Sequence, residues 1–396
     1  MSTTATDWQT RLSRSAWLVA VFWYLLAALT VPSQLQASTV GLVLLVVVLV
    51  LFGDHLAQPW RQSRGGWLLI GAALLLGVLF SEAPEKSAKG LYDALRAFGL
   101  FFVACAIASH STDQRLRRQA GLVFTVAALL LAITALGLGI EGGNFFLRGN
   151  RLLNGHLGNL HEFANLTAVT LLLLACVLAS AETPAARRSM TVLAIGVLAA
   201  AIALAASDSR GNWLATAFCA GFIASHRRPL LFRLWSAALL LALGLYVFLF
   251  FFHAGDCLGD FCPGGTYTTR KQLFHATLSL FTEQPWFGHG INTFKAVSEV
   301  RLRDRSMIMP HSIYLELLFS SGVVGSLLFC LGGLRLYAAS GGGEGSAFLR
   351  LTGKVILLYA LLRGLVDMKL FSFEYLGILS VALGLLYARP QRTTPS

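Results

Sequence analysis

Long blocks of hydrophobic residues, separated by short polar stretches, run along almost the whole chain. A helix that crosses a bilayer needs roughly 20 predominantly apolar residues. Taking each block as one helix predicts about twelve spans, at 16–32, 38–53, 66–80, 94–109, 119–140, 161–181, 190–206, 212–225, 233–253, 311–337, 350–366 and 372–389. The pattern therefore predicts an all-α polytopic membrane protein.

One long polar stretch interrupts this series and divides the chain into three parts. We expect residues 1–253 to carry the first nine spans and residues 254–310 to form a long loop. Residues 311–396 then carry the last three spans and a tail.

Composition supports a membrane protein and excludes one class of partner. Of the 396 residues, 56% are hydrophobic and 13% are charged, against about 25% charged in ordinary soluble domains. The net charge of +12 is spread over short clusters, with no continuous basic face or base-stacking motif. A nucleic-acid partner is therefore rejected.

The basic clusters instead predict orientation, because cytoplasmic loops of membrane proteins are enriched in Lys and Arg. Alternate loops and the two termini carry these clusters: Arg11 and Arg14; Arg61 and Arg64; Arg115, Arg117 and Arg118; Arg187 and Arg188; Arg227, Arg228 and Arg233; Arg335 and Arg350; Arg389 and Arg392. Both termini are expected to be cytoplasmic, and the 254–310 loop lies on the outer side.

The long loop contains two cysteines, Cys257 and Cys262, in the run DCLGDFC. On the oxidising side of a membrane such a pair is expected to form a disulfide. Zinc is the weaker alternative, since two further ligands at suitable spacing are missing.

Arg210 is the first candidate for chemistry, in the run SDSRGNWLA. It falls in a tight outer turn, predicted to be made by Gly211 and Asn212, at the height of the lipid headgroups. There a guanidinium can bind a phosphate through two hydrogen bonds. Alternatively, it anchors the helix at the membrane surface or pairs with Asp208.

Arg270 is the second candidate, next to a predicted capping box formed by Thr269 and Gln272. Apolar residues at helical spacing follow, so an amphipathic helix is predicted to begin here. Arg270 would then lie at the positive end of the helix, where a bound anion would offset the unfavourable charge. The alternative is an ordinary surface arginine.

His311 is the third candidate, directly after Pro310 at the predicted start of a span. The helix dipole and nearby arginines favour the neutral imidazole, which can act as a general base. The alternative is a simple polar residue at a helix start.

Further polar residues on the outer side form a second group of candidates for substrate binding: Arg148, Arg151, His156, Arg363 and Asp367. No Walker loop, HExxH, zinc-ligand or DxD pattern is present. A metal-independent reaction without a cofactor is therefore expected.

Several motifs, in this order and on one face, resemble the O-antigen ligase family, part of a superfamily with O-antigen polymerases and protein O-oligosaccharyltransferases. They are SRGNWLA at 209–215, Arg270 followed by QPWFGHGINTF at 284–294, and His311–Ser312 followed by Gly322 and Gly325. RLLNGHLGNLHEFANL at 151–166 is more loosely similar. The resemblance covers roughly 150–370.

This resemblance implies a GT-C-like fold and a glycosyltransferase of the bacterial inner membrane that works on the periplasmic face. The implied donor is undecaprenyl-diphosphate-linked O-polysaccharide and the implied acceptor is lipid A–core oligosaccharide. Arg210 and Arg270 would hold the diphosphate, and His311 would be the general base of an inverting transfer. A polymerase and a protein O-oligosaccharyltransferase remain alternatives, as does a transporter for an anionic lipid or a non-catalytic scaffold.

The disulfide can be tested directly. We expect mass spectrometry of the purified, non-reduced protein to find Cys257 and Cys262 in one cross-linked peptide, because the loop is predicted to face an oxidising compartment. Two free thiols in that peptide would reject the bridge.

Overall fold

The computed structural model describes residues 34–109, 113–143, 145–147, 160–180, 187–252, 265–301, 309–341, 346–366 and 368–389. Within these ranges the chain is all-helical, with no β-strand. The helices are α1 Gln34–Leu79, α2 Pro84–Ser109, α3 Asp113–Glu141, α4 Leu160–Ala179, α5 Arg187–Ala206, α6 Arg210–Ser225, α7 Pro229–Val247, α8 Gly265–Glu283, α9 Phe294–Arg301, α10 Ile313–Ser340, α11 Ala347–Arg363 and α12 Phe373–Tyr387. A π-helical turn, Phe248–Phe252, follows α7.

Helices long and apolar enough to cross a membrane are present, as predicted. By length and composition, five stretches in the described part of the chain qualify: Ala57–Leu79, Gln114–Glu141, Leu160–Ala179, Pro229–Phe251 and Ile313–Ser340. Met190–Ala206 and Phe373–Tyr387 are shorter apolar helices. An all-α, multi-pass architecture is therefore supported, while the first predicted span, 16–32, lies outside the described residues.

The prediction of separate spans at 38–53 and 66–80 is wrong. The two blocks belong to α1, one helix of 46 residues with Pro59 inside it, which makes α1 about 69 Å long. The polar residues between the blocks include Arg61 and Arg64, and they continue the helix. Polar character alone does not end a helix, which requires capping groups or a change of backbone conformation.

The helices bury two main apolar cores. One is formed by α3, α4, α5, α6 and α11, with Leu131, Phe163 and Tyr359 among its fully buried residues. The other is formed by α1, α2, α10 and α12, around residues such as Leu74 and Phe101. Because α11 also contributes to the second core, it joins the two groups of helices.

Hydrogen bonds near the helix ends show which of these ends lie together in the bundle. At one end the Arg389 backbone N–H donates to Ser109 Oγ (3.0 Å), and the Arg389 guanidinium donates to Gln62 Oε1 (3.4 Å). At the other end α5 meets α6, and α10 begins beside the end of α11. Arg389 belongs to the basic set of loops, so that set and the candidate residues lie at opposite ends.

Helix α7 lies at the edge of the bundle and buries none of its residues. It is attached near its two ends. Trp235 Nε1 donates to the Phe218 carbonyl (2.8 Å), and the Tyr246 hydroxyl donates to the Leu365 carbonyl (2.8 Å). Most of its large apolar side chains are exposed among the described residues, which suits contact with lipid.

Helix α10 is broken at Gly322, where φ is 61° and ψ is −168°. An unbroken helix would pair the amides of Val323 and Val324 with the carbonyls of Phe319 and Ser320. Here residues 285–290, called the inserted segment below, provide all the partners. Val323 N donates to Pro285 O (2.8 Å) and Val324 N to Trp286 O (3.1 Å); His289 N donates to Phe319 O (2.8 Å) and Gly290 N to Ser320 O (3.0 Å).

Only glycine fits at the break. A Cβ on Gly322 would lie 2.5 Å from the Phe287 backbone nitrogen, closer than real Cβ atoms approach. In addition, the positive φ is unfavourable for any other residue. The glycine spacing noted in the sequence is thus explained by close backbone packing.

We expect Gly322→Ala to destabilise the protein by at least about 1–3 kcal/mol, because a strained backbone and a steric overlap are combined. The measurement is thermal unfolding in lipid nanodiscs. Gly333→Ala is the matched control, since it lies in the same helix with nothing within 4 Å of an added Cβ. Equal melting temperatures for the two variants would contradict the explanation.

Candidate functional site

Arg210 is the first residue of α6 and is exposed. The turn before it consists of Ser207, Asp208 and Ser209, with Asp208 at a φ of 46°. The prediction that Gly211 and Asn212 make this turn is wrong, because Asp tolerates the left-handed conformation and closes the turn earlier. The Arg210 side chain makes no hydrogen bond or ion pair with the part of the chain that the structure describes.

Asn212, two residues further on, is completely buried and central to a polar network. Its Oδ1 accepts hydrogen bonds from the Tyr359 hydroxyl (2.5 Å) and from Arg363 Nε (2.9 Å). Its Nδ2 donates to Ser209 Oγ (3.0 Å). The start of α6 is therefore fixed to α11 directly below Arg210.

Arg363 is 1% exposed, although it carries a charge. Besides Asn212, it donates to the Val366 carbonyl, and Gly211 packs against its guanidinium. We call residues 363–366, at the end of α11, the α11 turn. Arg363 shapes this turn from inside the protein.

His311 lies two residues before α10, in a bend with a φ of 55°. The prediction that it belongs to the first turn of the helix is wrong, because Ser312 is extended and serves as the N-cap. The next residue, Ile313, donates its backbone N–H to the Gly364 carbonyl (2.9 Å). The chain that carries half-buried His311 therefore contacts the α11 turn.

Arg270 belongs to α8, which spans Gly265–Glu283 and confirms that this stretch is a helix. The helix starts before Thr269, so Arg270 is in its second turn and the argument from a helix terminus is wrong. The guanidinium lies close enough to the Tyr246 hydroxyl to act on it electrostatically. That hydroxyl donates to Leu365 of the α11 turn (2.8 Å).

Neighbours of all three predicted residues thus contact one short segment. Asn212, Ile313 and Tyr246 each bond to a residue of the α11 turn. The sequence placed Arg210, Arg270 and His311 on one face, and the structure assembles their surroundings around this turn. Asp367 directly follows it, outside the described residues.

The other predicted residues also lie outside the described part of the chain: Arg148, Arg151, His156, Cys257 and Cys262. The last described residue before Arg148 is Leu147, whose N–H donates to the Ala206 carbonyl (2.8 Å). The chain therefore enters that stretch beside the turn that precedes Arg210.

Glu316 holds the chain that follows the α11 turn. It is 3% exposed, and its Oε2 accepts the Leu370 backbone N–H (2.5 Å). Lys369 lies close enough to act on the carboxylate electrostatically. The sequence indicated that Glu316 points away from His311 but not what it binds.

The polar network around Asn212 was missed by sequence reasoning. Asn165 in α4 completes it, because its Oδ1 lies 3.1 Å from the Tyr359 hydroxyl oxygen. The available signal was an amide within an otherwise apolar run, ANLTAVTLLLL, since polar groups inside membrane helices usually have specific partners.

Among the described residues, no group of three or more His, Cys, Asp and Glu side chains is placed to hold a metal ion. Instead, buried Arg363 lies in the α11 turn, and residues next to the other candidates bond to this turn. Such an arrangement can bind an anion and place an imidazole beside it.

These features define a class first: a helical, multi-pass membrane protein with cationic residues and a histidine gathered at one end of its bundle. Residues 195–330 match the family model described as O-antigen ligase. The resemblance to this family noted from the motifs is thereby confirmed over this segment of the chain. No curated protein matches the chain significantly.

The matched segment contains all three principal candidates, Arg210, Arg270 and His311, together with the inserted segment and the break at Gly322. Arg363 and Asn165 lie outside it.

We expect Asn212→Ala to destabilise the protein by about 2–3 kcal/mol, because it leaves buried Arg363 and Tyr359 without their shared acceptor. Thermal unfolding in nanodiscs measures this. Thr216→Val is the matched control, one turn along α6, since its buried Oγ1 has no hydrogen-bond partner among the described residues. An equal loss in both variants would show that the network adds no stability.

Proposed function

We propose that the protein is an O-antigen ligase, which transfers O-polysaccharide from undecaprenyl diphosphate to lipid A–core oligosaccharide. The observation that carries this proposal is the α11 turn, around which the surroundings of Arg210, Arg270 and His311 meet. The family match supports the reaction class. The proposed orientation places the basic end of the bundle and both termini in the cytoplasm and the site on the periplasmic face of the inner membrane.

Arg210 and Arg270 bind the donor diphosphate in this proposal. A guanidinium matches a phosphate through paired hydrogen bonds and keeps its charge at any physiological pH. Exposed Arg210 sits on a helix start that is rigidly held by Asn212. As the glycosidic bond breaks, negative charge builds on the leaving diphosphate, and the two cations stabilise it.

His311 is the general base. The acceptor hydroxyl attacks the anomeric carbon, the bond from that carbon to the diphosphate oxygen breaks, and His311 takes the hydroxyl proton. Attack from the side opposite the leaving group inverts the anomeric configuration. No metal or cofactor takes part in this scheme.

The remaining predicted residues complete the substrate site in the proposal. Arg148, Arg151, His156 and Asp367 bind sugar or phosphate groups of the donor and acceptor. Arg363 contributes indirectly, because its buried guanidinium holds the α11 turn in shape. Polar groups also argue against a transport path, because the buried network lies near helix ends rather than along the membrane centre.

The decisive test is ligation by purified protein in nanodiscs, using lipid-linked polysaccharide and lipid A–core and read as a ladder on a gel. We expect His311→Ala to lower the rate by about 10²–10⁴-fold, since proton transfer is lost. His275→Ala is the control, an exposed histidine on α8. Full activity of folded His311→Ala across the pH range would show that His311 is not the general base.

In the same assay we expect Arg270→Ala to lower the ligation rate by about 10²–10³-fold. Arg270→Lys should also lower it, because a lysine cannot form the paired hydrogen bonds to phosphate. Arg233→Lys, at the basic end of the bundle, is the control. Chelators should leave the rate unchanged. If folded wild type gives no ladder but extends lipid-linked single repeat units, the protein is a polymerase instead.

A further inference from the structure

His289 lies in the inserted segment and is completely buried. Its backbone N–H donates to the Phe319 carbonyl in the broken part of α10, and its ring stacks on the Phe319 ring at 4.8 Å with an angle of 18°. The side chain therefore packs directly on the outer half of α10, the half that begins beside His311.

Both ring nitrogens of His289 face oxygen atoms that accept hydrogen bonds. Nε2 lies 2.7 Å from the Leu280 carbonyl oxygen of α8. Nδ1 lies 2.8 Å from Glu82 Oε1, in the turn between α1 and α2. A carbonyl can only accept, so Nε2 must carry a hydrogen.

The Glu82 carboxyl group contacts a second side chain. The same Oε1 also accepts from Gln284 Nε2 at 2.7 Å. Opposite an ionised Glu82, whose carboxylate has only lone pairs to offer, Nδ1 carries a hydrogen too. With hydrogens on both nitrogens, the ring of His289 bears a positive charge opposite the charge of Glu82.

We propose that His289 is a buried imidazolium paired with Glu82, and that this pair is a positioning device for the outer half of α10. The activity part of this inference rests on the proposed function. His289 and Glu82 touch no reacting atom in it; they act through α10, which holds His311.

The break at Gly322 is the reason that α10 needs such a device. Without two of its backbone hydrogen bonds, the helix no longer fixes the direction of its outer half. The inserted segment sets that direction, and the charged pair ties this segment to the α1–α2 turn. A second bond, from Glu82 N–H to the His289 carbonyl (3.1 Å), strengthens the same link.

The first test needs no activity. Solid-state NMR of wild type with ¹⁵N-labelled histidine, in nanodiscs at neutral pH, should show both ring nitrogens of His289 protonated. The signals are assigned by their loss in His289→Gln. An unprotonated Nδ1 would overturn the ion pair, and this result holds whatever reaction the protein catalyses.

The second test is kinetic and uses Glu82→Gln, which removes the charge from a side chain that is 27% exposed and so leaves the fold intact. We expect kcat for ligation to fall about ten- to a hundredfold through displacement of the base, while KM for the donor changes less than about twofold. The control is Glu85→Gln, an exposed residue in the first turn of α2.

In the double variant Glu82→Gln/His289→Gln, kcat should fall no further than in the more impaired single variant, since the two residues act as one unit. Unchanged kcat in Glu82→Gln, or fully additive losses, would overturn the positioning role. If wild type itself ligates nothing, the proposed function fails, whereas the NMR result still decides the charge of the pair.

Discussion

Backbone amides and carbonyls that lose their helical partners inside a membrane protein must find others, because lipid offers none. This constraint organises the outer end of the molecule. The break of α10 at Gly322 frees two amides and two carbonyls, and the inserted segment satisfies all four. Two distant stretches of chain thereby become one unit. The direction of the outer half of α10, and with it the place of His311, depends on this exchange of hydrogen bonds.

The α11 turn plays the corresponding part for the cationic residues. Helix α11 contributes Tyr359 to one apolar core and Ala360 to the other, so its end lies where both groups of helices meet. A buried arginine is tolerated there because Asn212 and the Val366 carbonyl accept its hydrogen bonds. The exposed Arg210 gains a rigid base from the same network. Buried polar groups thus hold the exposed charged ones in place.

Much of this architecture follows from the sequence, since apolar blocks specify helices locally. The ends of α4 and α10 were predicted within a few residues, and residues next to the three principal candidates bond to one turn. Long-range pairing was not predictable. Asn212 is hydrogen-bonded to Arg363, 151 positions away in sequence, and Glu82 to His289, 207 positions away. No local sequence pattern indicates such partners. The helix break at Gly322 was hidden for the same reason: its cause is another part of the chain.

The attachment of α7 has a consequence for how its sequence can vary. Between Trp235 and Tyr246 none of its side chains is fully buried by the part of the chain that the structure describes, and packing against lipid does not distinguish one branched apolar residue from another. That stretch can drift freely among leucine, isoleucine, valine and phenylalanine. Its two attachment points cannot, because an indole and a phenol each donate to one particular carbonyl. Among related sequences, substitutions in this helix should therefore be frequent between Trp235 and Tyr246 and rare at these two residues.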